Sequence, residues 1–505
     1  MTRVRLTRAC ARILLCTPLL FGGCASEPRA EETPGAAAAA PAADAHPEQA
    51  LLEELALANR MLAEAGILDG QGHVTARSRT NPNHYYIARY LSPGGVSTSD
   101  FIENDLDSNA VHGPRNDQAR ETHLHGQIYK ARPDVMAVVH GHTAEFVAYG
   151  SSSVPLWNGA AAAPVWDIRK FTDGRSGIVN TPELGQSMAA ALGMHDAVLL
   201  WGHGIALAAP SIKDVVSRVL DLRETARLQQ ATVAMGGTWT PQARNEDAAA
   251  RDRTWESLRR AALKRTGGRV PTSPPPDPVK PSDPVEAATR DLVLANRILA
   301  SEELEVLTSP GHVSIRHPGD PNAYLIAPGV AAAAVTAQDV VQRGVGDADA
   351  ASWDLGIHGE VYRARPDVMA VLYGRTPEIV AFSRESMRLR PIVNGGNFLR
   401  DGLPLLARPG AGPVAETLGK QAGVLVSGHG FVLTAPSIYE LTNRAYSLRH
   451  NARIQQQAVA LRGKVTYLDD MRAPPAPANA PGGNAPLGPP EGRAWVYWSQ
   501  TVSLD

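Results

Sequence analysis

Leu51, Leu52, Leu55 and Leu62 recur with helical spacing and predict an amphipathic helix over residues 48–65. His84–Tyr90 is short and aromatic-rich and predicts a strand. Residues 118–131 predict a helix that stops before Pro133, because the residue ahead of a proline resists helical geometry. Val135–Val139 is an apolar run bounded by proline and glycine, which predicts a buried strand. Ala197–Trp201 and Ile205–Ala208 predict two strands around a glycine-rich turn, and residues 211–235 predict a long final helix. Helices and strands alternating in this way favour a layered α/β domain.

The pattern is then written a second time. L-A-L-A-N-R-M-L-A (55–63) answers D-L-V-L-A-N-R-I-L-A (291–300), and Gly72-His73-Val74 answers Gly311-His312-Val313. The frame A-R-P-D-V-M-A-V is identical in both copies. Gly202-His203-Gly204 answers Gly428-His429-Gly430, E-T-A-R-L-Q-Q (224–230) answers H-N-A-R-I-Q-Q (450–456), and R-T-W (253–255) answers R-A-W (493–495). Each copy is too long for a solenoid unit and has the size of an independent domain. The expected organisation is a first domain over 47–266, a Pro-rich linker over 267–284 and a second domain over 285–472. A Pro/Ala/Gly-rich segment (473–492) and a C-terminal segment (493–505) follow.

Ahead of the first domain, Arg3, Arg5, Arg8 and Arg12 precede an apolar stretch from Ile13 to Phe21 and then Gly22-Gly23-Cys24. Residues 1–23 resemble a bacterial lipoprotein signal, with cleavage before Cys24 and lipidation of its thiol. A cleaved signal without lipid is the alternative. Residues 24–46 are Ala- and Pro-rich and read as a tether. The expectation is a lipid-anchored protein of the cell envelope, on the periplasmic side. Cys10, Cys16 and Cys24 are all the cysteines, so the domains hold no thiolate for catalysis or metal binding and no disulfide. A formal net charge of -2 gives no basis for a nucleic-acid partner, and 5% aromatic residues argue against a platform for stacking bases.

Comparison of the copies separates scaffold from chemistry. Glu121, His140 and His142 become Asp354, Tyr373 and Arg375 while their surroundings persist. Side chains at i and i+2 of a strand leave one face, so His140 and His142 converge. Glu121, on the preceding helix, can reach the strand end. His203 projects from a turn between glycines. Although it persists as His429, it completes an otherwise sparse ligand set. Three imidazoles and a carboxylate suit one divalent ion such as zinc, manganese or cobalt. His125 and His73 persist as His358 and His312 in the altered copy and read as structural.

Glu121, His125, Tyr129, Arg132-Pro133-Asp134, His140, His142 and the later His203-Gly204 occur in an order that resembles the class II aldolase/adducin family. The resemblance covers nearly all of 48–262 and, in degenerate form, 285–470. It implies two tandem three-layer α/β/α domains. His140, His142 and His203 would bind the metal, and Glu121 would be a fourth ligand or the catalytic acid/base. The family's fourfold rings carry active sites at subunit junctions, so the duplicated chain is expected to form a homodimer that completes a pseudo-fourfold ring. The second copy would then wall the first copy's site.

Sugar-phosphate aldolases of the family hold phosphate with G-N-x-S and with serines just before the glutamate. Here G-H-V-T (72–75) and Gln118-Ala119-Arg120 stand instead, which points away from a phosphorylated substrate. G-H-V-S-I-R (311–316) and P-V-W-D-I-R (164–169) look more like the branch of aromatic hydroxy-carboxylate decarboxylases. The resemblance therefore implies a lyase, a decarboxylase or aldolase, acting on a small unphosphorylated hydroxy-carboxylate or carbonyl compound. A metal-stabilised enolate or phenolate serves either reaction. Arg120, Arg169 and Lys170 are candidates for gripping a substrate carboxylate. The alternative is a non-catalytic lipoprotein that uses this fold to bind a ligand, metal or partner.

Overall fold

The computed structural model describes residues 46–502, apart from 114–116, 173–176, 244–246, 275–278, 302–303, 308–310, 348–352, 385–386, 409–413 and 471–491. The leader, Cys24, nearly all of the tether, the Pro/Ala/Gly-rich segment through residue 491 and part of the linker lie outside the described residues. Among the described residues no helix is long and apolar enough to cross a membrane.

Each copy builds one mixed sheet. In the first, the strand order is Ala110–His112, Phe101–Asp105, His84–Ala88, His73–Arg77, Ala137–Gly141, Gly204–Ala209, Ala197–Leu200, Val165–Trp166. Neighbours run antiparallel except the last pair, which is parallel. The second sheet repeats this order from Val341–Gly344 to Leu405–Leu406 and ends on the same parallel pair. Register is preserved as well. His73 pairs with His140 in the first sheet, and His312 pairs with Tyr373 in the second.

The period of two along each strand produces the layers. In the central strand, Ala137 and Val139 join one core with the helices Gln49–Glu64, Ile212–Ala234 and Ala248–Leu263. Val138 faces the opposite core, beside the helices Thr122–Ala131 and Pro182–Leu192. The first copy is thus a three-layer α/β/α sandwich, and the second copy has two equivalent cores. The helix Ile212–Ala234 is not the last of its copy: Ala248–Leu263 follows it, and the R-A-W counterpart opens a helix Arg493–Thr501. The helix expected over 118–131 begins only at Thr122, with Glu121 at its N-cap in a non-helical conformation (φ -109°).

Residues Pro47–Asp505 form one compact unit. The second copy docks on the first through an apolar seam in which Ala144, Val147 and Ala148 meet Ile392, Val393, Ile454 and Ala458. Polar contacts flank it. Trp201 Nε1 donates to Thr466 Oγ1 at 2.7 Å, and Ser153 N donates to the Lys464 carbonyl at 2.9 Å. Leu468 of the second copy enters the first copy's core.

Candidate metal centre

Four elements deliver the cluster. His140 lies in the strand Ala137–Gly141, and His142 follows immediately after it. His203 occupies the turn between two strands. Gly202 there has φ of 61°, and a side chain at Gly204 would collide with the Gly141 carbonyl. The second copy imposes the same demands at Gly428 and Gly430, so G-H-G is a requirement of the backbone and persists without the other ligands. Glu121 reaches in from the N-cap of its helix rather than from the helix body.

One ligand atom from each of Glu121, His140, His142 and His203 lies within 4.8 Å of all the others, and all four residues are buried. Glu121 Oε2 stands 3.3 Å from His140 Nε2 and 3.5 Å from His203 Nε2. The other oxygen, Oε1, accepts from Val179 N at 2.9 Å. His140 Nδ1 donates to the Ile205 carbonyl at 2.8 Å, and His142 Nδ1 donates to Asp69 Oδ1 at 3.0 Å. With both Nδ1 atoms donating, the rings in their neutral forms turn two Nε2 lone pairs on each other at 3.0 Å. A cation between them resolves that repulsion, so the donor set fits a divalent ion.

Burial alone would raise the Glu121 pKa, but the His203 and His140 charges outweigh it and hold the carboxyl well below its ordinary value. Burial pushes His140 down, which favours the neutral imidazole a metal needs. At His142 burial also lowers the pKa, but the Asp69 carboxylate more than compensates and the net shift is upward.

Asp69 was not among the residues singled out from sequence, although the repeat comparison carries its signal. D-G-Q-G-H-V (69–74) is answered by T-S-P-G-H-V (308–313), so Asp69 is exchanged together with the ligands. His125 and His73 take other places. His125 Nδ1 bonds Thr75 Oγ1 at 2.8 Å, and Thr75 Oγ1 also meets the Tyr129 hydroxyl at 2.9 Å, which ties a helix to the sheet. Ser314, His358 and Tyr362 repeat this chain at 2.6 and 2.9 Å. His73 Nδ1 donates to the Gln71 carbonyl at 3.2 Å.

The second copy fills the equivalent space with rings. Trp353, which answers Arg120, stands edge-on to both Tyr373 and His429, with centroids 5.5 and 5.8 Å away. Asp354 turns toward His312 Nε2 at 3.5 Å.

A cavity of about 370 Å³ opens beside Glu121, His142 and His203. Its opposite wall comes from the second copy, through Asn394, Asn443, Tyr446, Ser447, His450 and Trp498. His450 Nε2 donates to the His142 carbonyl at 3.1 Å and stacks on Tyr446 at 5.5 Å. Of the proposed carboxylate-binding residues, Arg169 is held by Asp167 at 2.7 Å and lies over the Trp201 ring at 4.0 Å. Lys170 is exposed, and Arg120 is exposed at the rim with its guanidinium 5.7 Å from the Tyr90 ring. None of the three lines the cavity.

Comparison with known proteins places both copies in one family. The sequence model of the class II aldolase and adducin N-terminal domain matches residues 53–230 and again 290–456. A 3,4-dihydroxyphthalate decarboxylase of Arthrobacter keyseri is 30% identical over 200 residues, covering 37% of this chain and 79% of that protein. A decarboxylase of Talaromyces stipitatus is 26% identical over 189 residues, covering 34% of this chain and 71% of that protein. Among solved structures, an aldolase II superfamily protein from Pseudomonas syringae aligns with a TM-score of 0.38 at 20% identity, covering 44% of this chain and 94% of that one. The chain belongs to the class II aldolase and adducin family, with one copy of the domain in each of its repeats.

Proposed function

We propose that the chain is a metal-dependent carbon–carbon lyase, a decarboxylase or aldolase, acting on a small unphosphorylated hydroxy-carboxylate or carbonyl compound. The observation that carries this reading is the pair of facing Nε2 atoms of His140 and His142, completed by His203 and Glu121 at the wall of a cavity. Family membership and the relatives named as decarboxylases support a lyase. His140, His142 and His203 would hold the ion, and a bound divalent ion would supply Lewis-acid stabilisation of charge developing on a substrate oxygen. Glu121, kept ionised by its histidine neighbours, accepts the proton of the substrate hydroxyl on Oε2 and returns it to the carbon that loses its substituent. The Val179 N–H fixes the other oxygen and with it the direction of that transfer.

Glu121→Gln tests the assignment. It keeps the Val179 contact and the fold, and turnover of hydroxylated aromatic acids or short aldols should fall at least roughly a hundredfold. Retained turnover would make Glu121 a structural residue.

We also propose that two chains close a pseudo-fourfold ring. The first copy presents Trp157, Asn158, Gly159 and Asp221 around a hollow of about 340 Å³. These residues answer Val393, Asn394, Gly395 and Ser447, which wall the metal centre within the chain. A second chain seated there would repeat the internal seam. The leader over residues 1–23, followed directly by Cys24, supports our placement of the protein on a lipid anchor at the cell envelope.

A further inference from the structure

Arg493 opens the last helix of the second copy, Arg493–Thr501, and that helix is received by the first copy. A side chain at Gly94 would collide with Tyr497, and a Cβ at Gly70 would lie 3.1 Å from that of Ala494, so both glycines make room for it. Docking in this way buries Arg493 to 7% exposure. Its Nε has no hydrogen-bond partner, and no carboxylate pairs with it among the described residues. Its guanidinium lies over the Tyr90 ring at 4.2 Å. Tyr90 in turn reaches Gln71 Oε1 at 3.4 Å, and Gln71 and Ala494 line the cavity beside the metal centre. The Arg493 charge bears on Asp69, Glu121 and Arg120, and on His73, whose Nε2 is also buried without a partner.

The counterpart shows that this burial is particular to the site. Arg253 occupies the same place in the first copy's R-T-W, yet its side chain is 71% exposed, with Asp247 at 3.8 Å. A buried, always-charged group with no carboxylate in pairing distance is costly, and a ligand carboxylate at its open donors would complete the pair. A guanidinium grips a carboxylate with two parallel hydrogen bonds. The carboxylate it grips cannot be the one that leaves. A fixed cation on the departing group would stabilise the ground state more than the transition state, where that negative charge moves into the ring or onto the substrate oxygen.

We propose that Arg493, which the second copy carries to the edge of the first copy's site behind Gln71 and Ala494, is the receptor for a substrate carboxylate that is retained when the carbon–carbon bond breaks. This rests on the lyase reading above and narrows its substrates to those with a second acid group. Arg120, with its guanidinium 5.7 Å from the same Tyr90 ring, adds a further positive charge nearby.

The test uses the full chain loaded with zinc and two unreactive probes, phthalate and benzoate, with affinities read by calorimetry. The wild type should bind phthalate at least about tenfold tighter than benzoate, the scale of one good charge-assisted pair. Arg493→Met should abolish that preference without lowering the thermal midpoint, because it removes an unpaired buried charge. Arg493→Lys should recover only part of the preference, since lysine cannot bond bidentately. Equal binding of both probes by the wild type would overturn the proposal, as would a phthalate preference that survives Arg493→Met. If Arg493→Met does not fold, an unchanged preference in Arg493→Lys overturns it instead. The two readings fail separately. Phthalate preference in a protein that cleaves no carbon–carbon bond would sink the lyase reading alone. An unchanged KM for a dicarboxylate substrate in Arg493→Met would sink the receptor alone.

Discussion

Replacing Asp69 should loosen the metal without unfolding the protein. Asp69 Oδ1 accepts from His142 Nδ1 at 3.0 Å and from the backbone N–H of Gln71 and Gly72, each at 2.9 Å. The first bond fixes the tautomer and aim of a ligand, and the other two fix Asp69 itself. His142 is buried, so the bond is a charge-assisted one in a poorly solvated place. Losing such a partner costs a metal site about ten- to a hundredfold in affinity, or about 1.4–2.7 kcal/mol. Asp69→Ala should fall in that range. Asp69→Asn keeps an acceptor of the same shape but gives up the charge, which is roughly half the bond's strength, so about three- to tenfold is expected. Competition against a fluorescent zinc chelator measures both, with the thermal midpoint of the metal-free protein as the control for folding. The reasoning fails if Asp69→Ala binds zinc as tightly as the wild type, or if Asp69→Asn is the weaker of the two.

Elemental analysis of purified protein should find one divalent ion per chain, because Tyr373, Arg375 and the Trp353 ring stand where the second copy would need ligands. His140→Ala combined with His142→Ala should remove it, and two ions per chain would contradict the assignment. Light scattering should give the mass of a dimer, and a monomer would rule out the ring. Residues 47–266 expressed alone should lose activity along with the wall that carries His450 and Tyr446; a fully active monomeric fragment would show that the second copy contributes nothing. Cys24→Ser should move the protein from the membrane fraction to the soluble one, and unchanged fractionation would refute the lipid anchor.

The convergence of Glu121, His140, His142 and His203 was legible because these residues sit in short local patterns and because the second copy has lost three of them. The same contrast holds for Asp69, but a lone aspartate in a turn has no motif around it and only geometry gives it a role. Arg493 was beyond reach of that comparison. Both copies carry arginine there, and the difference lies in what each is packed against, a fact of docking between segments hundreds of residues apart. Arg169 shows the reverse error. As a sequence it is a cation near a tryptophan, but Asp167 and the Trp201 ring already occupy it. Glu121 was assigned to a helix that starts one residue later, because helix ends depend on capping rather than on apolar spacing.

The fused wall changes what mutation can reach. In a ring of identical subunits every position is used in every place, so a residue good for one wall must be tolerated in all of them. Here His450 touches the metal centre while its counterpart in the first copy is Glu224. One side of the pocket can therefore be tailored without disturbing the other. The covalent join also holds that wall at an effective concentration on the order of millimolar, however few chains the cell makes. Dilution that would dissolve a weak ring of separate subunits leaves this pocket whole.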